Sequence, residues 1–311
     1  MRTPSSRATS DGGFYHPLEP ENAPNTFTPP PLDNTPIAGI DKRDRVYKAF
    51  LDMPEMALTS NDYRQFTEWG FTTKMVKRRG YRRLPLKKRA KICKTLIERG
   101  YELEGVPGFY FNPEGYWSFT TGPGIIFPSL TPDMKIQGLQ VRLDKINQGG
   151  KYRFFSSSGR PAGTSTGAPW HLAKPVKETR KIIFITEGYR KADYTAEKMG
   201  ACCIGLPGVN SFNGVAEYVA GTRLPFAIAY DRDILHKYEV IYALKRFLNE
   251  LSVCKNRKFL TRWKECQGKG IDDLLLAGGW PELVAITPKV IASVKKQEAR
   301  LLKQNKIRLT R

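Results

Sequence analysis

The sequence predicts an α/β fold: a parallel sheet flanked by helices, preceded by a smaller basic α+β region. Three observations carry this. Residues 181–277 alternate between strand-like and helix-like segments, as a largely parallel sheet with crossover helices requires. Acidic residues punctuate that stretch. Lys181-Ile182-Ile183-Phe184-Ile185-Thr186 leads into Glu187-Gly188, Pro225-Phe226-Ala227-Ile228-Ala229-Tyr230 leads into Asp231-Arg232-Asp233, and Lys269-Gly270-Ile271 leads into Asp272-Asp273. Upstream, residues 74–94 hold eleven Lys/Arg in 21 residues with no acid, and residues 103–172 turn to strand and turn signals.

In chain order, residues 1–42 are rich in Pro, Ser, Thr and Asn, stiffest at Pro29-Pro30-Pro31, and are expected to form a disordered arm. Residues 43–102 read as a basic helical region with a break at Gly70. There Thr59-Ser60-Asn61-Asp62 offers capping side chains to the segment containing Tyr63, Phe66 and Trp69. Residues 103–176 read as a basic strand-rich, nucleic-acid-binding subdomain. Gly124-Ile125-Ile126-Phe127-Pro128 precedes a turn at Thr131-Pro132-Asp133, and residues 137–144 alternate as a half-buried strand does. Residues 151–158 mix basic, aromatic and hydroxyl groups, and Gly159, Pro161, Gly163 and Gly167 mark a flexible connection after them.

Residues 177–285 form the acidic domain. Strands are expected over 181–186, 201–206, 225–230 and 256–261, and helices over 189–199, 212–220, 237–251 and 271–277. Val240, Ile241, Leu244, Phe247, Leu248 and Leu251 give the third helix one apolar face. An apolar run that ends at once in a carboxylate fits a buried parallel strand delivering an acid to the sheet's C-terminal edge. Acids gathered on such an edge suit Mg²⁺, which takes carboxylate oxygen and keeps water. Residues 286–311 are a basic helix or tail, weakly amphipathic through Val294, Leu301, Leu302 and Ile307.

Composition narrows the partners. The chain has 311 residues, 40% hydrophobic, with 51 Lys+Arg against 30 Asp+Glu and a net charge of +21. That excess favours a polyanion, and nucleic acid is the first candidate because no stretch approaches a membrane span. The N-terminus lacks an apolar signal core, so a cytoplasmic protein is expected. Cys93, Cys202, Cys203, Cys254 and Cys266 form no Cys-x-x-Cys pair, which argues against a structural zinc site, and Cys202 and Cys203 read as buried thiols. His171 and His236 are isolated candidates for substrate contact. No Gly-x-x-x-x-Gly-Lys-Ser/Thr loop marks an ATPase motor.

Cations supply the nucleic-acid candidates. Within 74–94 these are Lys77, Arg78, Arg79, Arg82 and Arg83, either phosphate contacts or a solvated helical surface. Arg142, Lys151 and Arg153 belong to the strand region, where Lys151 and Arg153 can meet phosphates and an aromatic ring can stack a base, or where an ordinary edge hairpin would look the same. Lys191, Lys237 and Lys269 are candidate phosphate contacts beside the acids, each also readable as a solvated lysine.

The ordered set Glu, Asp-x-Asp, Lys-Gly-x-Asp-Asp resembles the Toprim domain of bacterial primases, topoisomerases and related nucleases. Glu187-Gly188-Tyr189-Arg190-Lys191-Ala192-Asp193 is similar to the Glu-Gly-x-x-Lys-Ala-Asp signature of phage- and plasmid-associated primase-like proteins, often known only as a domain of unknown function. Gly205-Leu206-Pro207-Gly208-Val209-Asn210 is similar to the turn after that group's second strand. The likeness covers about a third of the chain, and a weaker one upstream extends it to about three quarters. It implies a Toprim-like sheet in which Glu187 is a general acid or base, or an ion ligand, and Asp231 and Asp233 bind Mg²⁺ or Mn²⁺. Asp272 and Asp273 match a less universal motif, as ion ligands or, for Asp272, as a helix cap.

The function so implied is synthesis of RNA primers on single-stranded DNA from nucleotides, in the replication of a mobile element, phage or plasmid. A replicative helicase is the expected partner and no membrane is involved. Two other functions fit the same residues: a Toprim nuclease using the same ion site, and a non-catalytic DNA-binding replication accessory protein.

Overall fold

The computed structural model describes residues 7–8, 14–15, 35–120, 122–147, 150–232 and 236–309. The chain divides into two compact units, Met1–Pro169 and Trp170–Arg311.

The first unit opens with a short antiparallel pair, β1 (Arg7–Ala8) and β2 (Phe14–Tyr15). Most of the expected arm, 1–42, lies outside the described residues. Its last part does not match that expectation. Ala38 N–H donates to the Gly105 carbonyl at 2.7 Å, and helix α1 (Ile40–Leu51) has already begun at residue 40. Helices α2 (Ser60–Glu68) and α3 (Thr73–Arg78) follow, then strand β3 (Arg82–Leu84) and helix α4 (Arg89–Glu98). The start of α2 follows from its sequence. Thr59 Oγ1 accepts the Asp62 N–H at 3.2 Å while the Asp62 carboxylate accepts the Thr59 N–H at 2.8 Å, which satisfies two helix-end donors at once.

Strands β4 (Phe109–Phe111) and β5 (Trp117–Phe119) form a hairpin. Strands β6 (Gly124–Leu130), β7 (Ile136–Asn147) and β8 (Gly150–Phe154) join β3 in an antiparallel sheet of order β3-β6-β7-β8. The core of this unit is aromatic. The spacing of Val46, Tyr47, Phe50 and Leu51 gives α1 one apolar stripe, and all four are buried. The Phe50 ring lies 5.1 Å from Phe109, 5.2 Å from Phe119 and 5.4 Å from Phe155. These are distances at which offset and edge contacts add to simple burial. A second cluster stacks Phe66 on Tyr81 at 5.0 Å, with Phe127 4.8 Å from Tyr81.

The second unit is built on a six-stranded sheet. Its elements are β9 (His171–Ala173), β10 (Ile183–Glu187), α5 (Tyr189–Met199), β11 (Cys203–Leu206), α6 (Val215–Thr222), β12 (Phe226–Ile228), α7 (Tyr238–Glu250), β13 (Lys258–Arg262), α8 (Ile271–Leu276), β14 (Glu282–Ala285) and α9 (Pro288–Leu309). The order is β14-β13-β12-β10-β11-β9, with the four central strands parallel and both edge strands antiparallel. Each strand and helix predicted between 181 and 277 is present. The edge strands β9 and β14 were not anticipated. Because β9 pairs with β11, this unit begins at 170, ahead of the 176/177 division read from the sequence.

The parallel strands are buried as apolar runs, and Ile185, Ile204, Ile228, Ile241, Leu244 and Phe247 share one core. The apolar face of α7 predicted from spacing is the face that packs there, with Val240 only partly buried. Helix α9 is no free tail, because Val294 and Leu301 enter the same core and Glu298 meets Lys245 at 2.5 Å. Of the adjacent cysteines, Cys203 is buried and Cys202 half-buried. No helix of the described residues is long and apolar enough to cross a membrane.

Candidate active site

Strands β10 and β12 are parallel neighbours, with Ile185 in register with Ile228. Glu187 closes β10, and Asp231 follows β12 once the Ala229 N–H has donated to the Ile185 carbonyl at 2.7 Å. Both acids therefore come to the C-terminal edge of the sheet, where strands end and helices start. The chain turns from β10 into α5 at Gly188, whose φ of +89° is a conformation that other residues rarely adopt. That turn places Lys191 in the first turn of α5, four residues after Glu187.

Lys191 Nζ donates a hydrogen bond to Asp231 Oδ1, and Lys269 Nζ lies 3.7 Å from Asp231 Oδ2. Burial by itself would lower the Lys191 pKa. The charges of Asp231 and Asp272, the hydrogen bond to Asp231 and the charge of Glu187 outweigh it and raise the value, so Lys191 is held as an ammonium. Burial raises the Tyr230 phenol well above its ordinary range, with the Glu187 charge adding, so Tyr230 stays neutral beside the acids.

The 269–273 segment is brought to this edge by backbone. The Arg232 N–H donates to the Lys269 carbonyl at 3.0 Å. The two adjacent aspartates then take different tasks. Asp273 is exposed and caps α8: its Oδ2 accepts the N–H of Gly270 at 3.0 Å and of Lys269 at 3.1 Å. Asp272 is only 6% exposed, accepts Arg190 at 2.6 Å through Oδ2, and keeps a buried Oδ1 with no hydrogen-bond partner. Sequence reasoning left Asp272 as an ion ligand or a helix cap and Asp273 as an ion ligand; the structure gives the cap to Asp273. Gly270 sits where no side chain fits. A Cβ there would overlap Asp272 Oδ1 and stand 3.1 Å from Lys191 Nζ and 3.2 Å from Asp231 Oδ1.

These residues fit a hard divalent cation. The donors are carboxylate oxygens, one of them buried without a partner, around a space kept clear by a glycine. Among the described residues no three His, Cys, Asp or Glu side chains form a ready-made cage, and Asp233 lies outside the described residues. Mg²⁺ is commonly held by only one or two carboxylates, with water and substrate phosphates completing its shell. Asp231 and Asp272 would hold such an ion.

Two residues of the Glu-Gly-x-x-Lys-Ala-Asp stretch acquire structural tasks. Lys191 meets Asp231, and Asp193 accepts His171 Nε2 across 3.1 Å with both side chains almost wholly buried, fastening α5 to β9. His171 is therefore a tether and no substrate contact, whereas His236 is exposed. Arg190 was missed because nothing local in sequence points to its partner 82 positions away. Lys237 stands exposed immediately before α7.

The first unit sorts the remaining cations. Lys77 and Arg78 are exposed at the end of α3, and Lys151 and Arg153 are exposed on the sheet-edge strand β8. The other four face protein. Arg79 is buried, and Arg82 donates through Nε to the Leu51 carbonyl at 2.8 Å. Arg83 clasps Asp62 and reaches Asp144 at 2.7 Å, while Arg142 lies 4.8 Å over Trp69 and donates to Gln65 at 3.0 Å. The correction has a simple cause. Residues 74–94 lack acids of their own, yet folding brings Asp62 and Asp144 to Arg83 and Asp52 to Arg82.

A family model described as a domain of unknown function (DUF3854) matches residues 173–281, the body of the second unit. No curated protein sequence matches the chain. Among solved structures, the zinc-binding and RNA polymerase domains of the Aquifex aeolicus primase match with a TM-score of 0.60 at 14% identity, over 85% of this chain and 62% of that one. The RNA polymerase domain of Mycobacterium tuberculosis primase DnaG, in complex with a double-stranded DNA oligomer with a 6-nucleotide overhang, matches at 0.55 and 15% identity, over 85% and 81%. A DNA primase domain from Pseudomonas aeruginosa matches at 0.56 and 15%, over 77% and 75%. The chain spans less than two thirds of the Aquifex structure. It has the fold of bacterial primase catalytic cores, with Glu187 and Asp231 at neighbouring strand ends.

Proposed function

We propose that this chain is a primase-like nucleotidyltransferase of the Toprim kind, joining ribonucleotides on a single-stranded DNA template during replication of a mobile element, phage or plasmid. The observation that carries the reading is the meeting of Glu187, Asp231 and Asp272 with Lys191 and Lys269 at one edge of a sheet of primase-like fold. Acids and ammonium groups at one sheet edge suit a reaction whose substrate is polyphosphate and whose reacting group is a hydroxyl. Bound Mg²⁺ or Mn²⁺ would neutralise phosphate oxygens and help orient the attacking hydroxyl. Glu187 takes or returns the proton at the reacting oxygen. Lys191 and Lys269 offer ammonium donors to phosphate. Asp233, beside Asp231 in sequence, is proposed as a further ion ligand. A replicative helicase would supply the single strand.

Lys77, Arg78, Lys151 and Arg153 are the cations proposed to hold the template. Replacing Lys151 and Arg153 together by Gln is expected to flatten the slope of log affinity against log salt by about 1.4, two single-strand phosphate contacts at ~0.7 each. Fluorescence anisotropy of a labelled oligonucleotide across a salt series measures this.

The function is tested by incubating the protein with single-stranded DNA, Mn²⁺ or Mg²⁺ and labelled ribonucleotides. Template-dependent products are expected, made about 10²-fold more slowly by Glu187→Gln. Shortened DNA would make the protein a nuclease. DNA bound but unchanged would make it an accessory binder and overturn the primase reading.

A further inference from the structure

Lys191 holds the carboxylate oxygen that an ion would use. Its ammonium donates to Asp231 Oδ1, and the Gly270 Cβ position, which lies against the partnerless Asp272 Oδ1, is 3.1 Å from Lys191 Nζ and 3.2 Å from Asp231 Oδ1. A buried carboxylate oxygen without a hydrogen bond is costly, and here a positive charge is the nearest compensation. Arg190, the neighbouring cation, is committed to Asp272 Oδ2 at 2.6 Å. Lys191 has a flexible four-carbon stem and a compact charge, so it can leave one acceptor for another where a planar guanidinium would be held.

We propose that Lys191 is a built-in stand-in for the divalent ion, occupying Asp231 Oδ1 until the ion takes that oxygen and then passing to the phosphates of the incoming nucleotide. This rests on the reading of Asp231 as an ion ligand. The two cations exclude each other on simple grounds. A divalent charge on the oxygen that now accepts the Lys191 ammonium lies a few ångströms from it and repels it. A triphosphate is the acceptor with enough negative charge to receive the displaced lysine. Lys191 is thus a positioning residue that couples ion to nucleotide: whatever draws it from Asp231 favours the ion, and by linkage the ion favours whatever draws it.

The test is calorimetric titration of the full chain with Mn²⁺, with and without a non-hydrolysable ribonucleoside triphosphate. Lys191→Met is expected to bind Mn²⁺ at least about five-fold more tightly than wild type without nucleotide, the low end of a site-to-site coupling, and to gain less from nucleotide than wild type does, because only the direct phosphate-to-ion contact is left. Asp231→Asn is expected to lose Mn²⁺ binding. Unchanged or weaker Mn²⁺ binding by Lys191→Met, with Asp231→Asn still defective, overturns the stand-in and leaves the ion site in place. Full Mn²⁺ affinity in Asp231→Asn removes the ion site and the stand-in with it. A measurement on wild type covers a variant that does not fold. Amine acylation read by mass spectrometry is expected to rise at Lys191, relative to the other lysines, when Mn²⁺ is added, and an unchanged pattern overturns the proposal.

Discussion

Asp231→Asn is expected to lower template-dependent synthesis by at least about 10³-fold while leaving the protein folded, since removal of one preorganised charge from an active site costs 10²–10³ and ion binding is lost as well. The argument lies in what surrounds the residue. Asp231 is the acceptor shared by Lys191 and Lys269, and it lies at the end of the strand next to the one that delivers Glu187. Asn keeps the size and one acceptor oxygen but carries no charge. Lys191 would still have Asp272 and Glu187 near it, so the second unit is expected to lose no more than about 1 kcal/mol, within the usual range for a partly compensated substitution. Synthesis rate and thermal melting measured on the same preparation separate the two effects. Activity near wild type in Asp231→Asn would remove this edge of the sheet from the chemistry.

Arg83→Met is expected to destabilise the first unit by about 3–5 kcal/mol, the cost of stripping the partner from a buried charge. Asp62 is only 1% exposed, and Arg83 is its charged partner; Thr59 supplies the remaining hydrogen bonds. Met keeps the apolar stem and removes the guanidinium. Exposed Lys87→Met is the matched control, expected to stay within about 0.5 kcal/mol. Urea unfolding followed by circular dichroism compares the two. The same pair predicts an acid limb. Burial opposes the Asp62 charge, but the hydrogen bonds from Arg83 and Thr59 and the Arg83 charge prevail, and its pKa lies below the ordinary value. A depressed carboxylate contributes stability in full above about 3.9, the unfolded value, and loses it as pH falls through the lower folded value. Wild type should therefore lose stability more steeply than Arg83→Met below pH about 4.

The residues behind these two predictions were not equally legible. Asp231 announces itself, because an apolar run broken by an acid reports a buried strand end without knowledge of the rest of the chain. Arg83 sits in a run of cations and looks like its neighbours. Lys77 and Arg78, at the end of α3, do face solvent, while Arg79 is buried and Arg83 is clasped by Asp62 and Asp144. The charge of a segment says that cations must go somewhere; their countercharge arrives from 21 and 61 positions away. Asp272 and Asp273 make the same point at closer range. They are neighbours in sequence, but successive residues of a helix point about 100° apart. One is turned into the site and the other out to its own backbone.

Local pattern alone was enough for the alternating strands and helices between residues 183 and 276, the buried face of α7, the cap of α2 and the arrival of Glu187 and Asp231 at strand ends. Each depends on periodicity or on the few residues beside it. Long-range pairing decided that β9 and β14 close the sheet, being too short for a period to show and made strands by their partners β11 and β13. It also decided that Lys191 rests on Asp231, that Arg190 holds Asp272 and that His171 is fastened to Asp193. Those pairings join residues 22 to 82 positions apart, and nothing in the local chemistry of a cation names which distant acid the folded chain will bring to it.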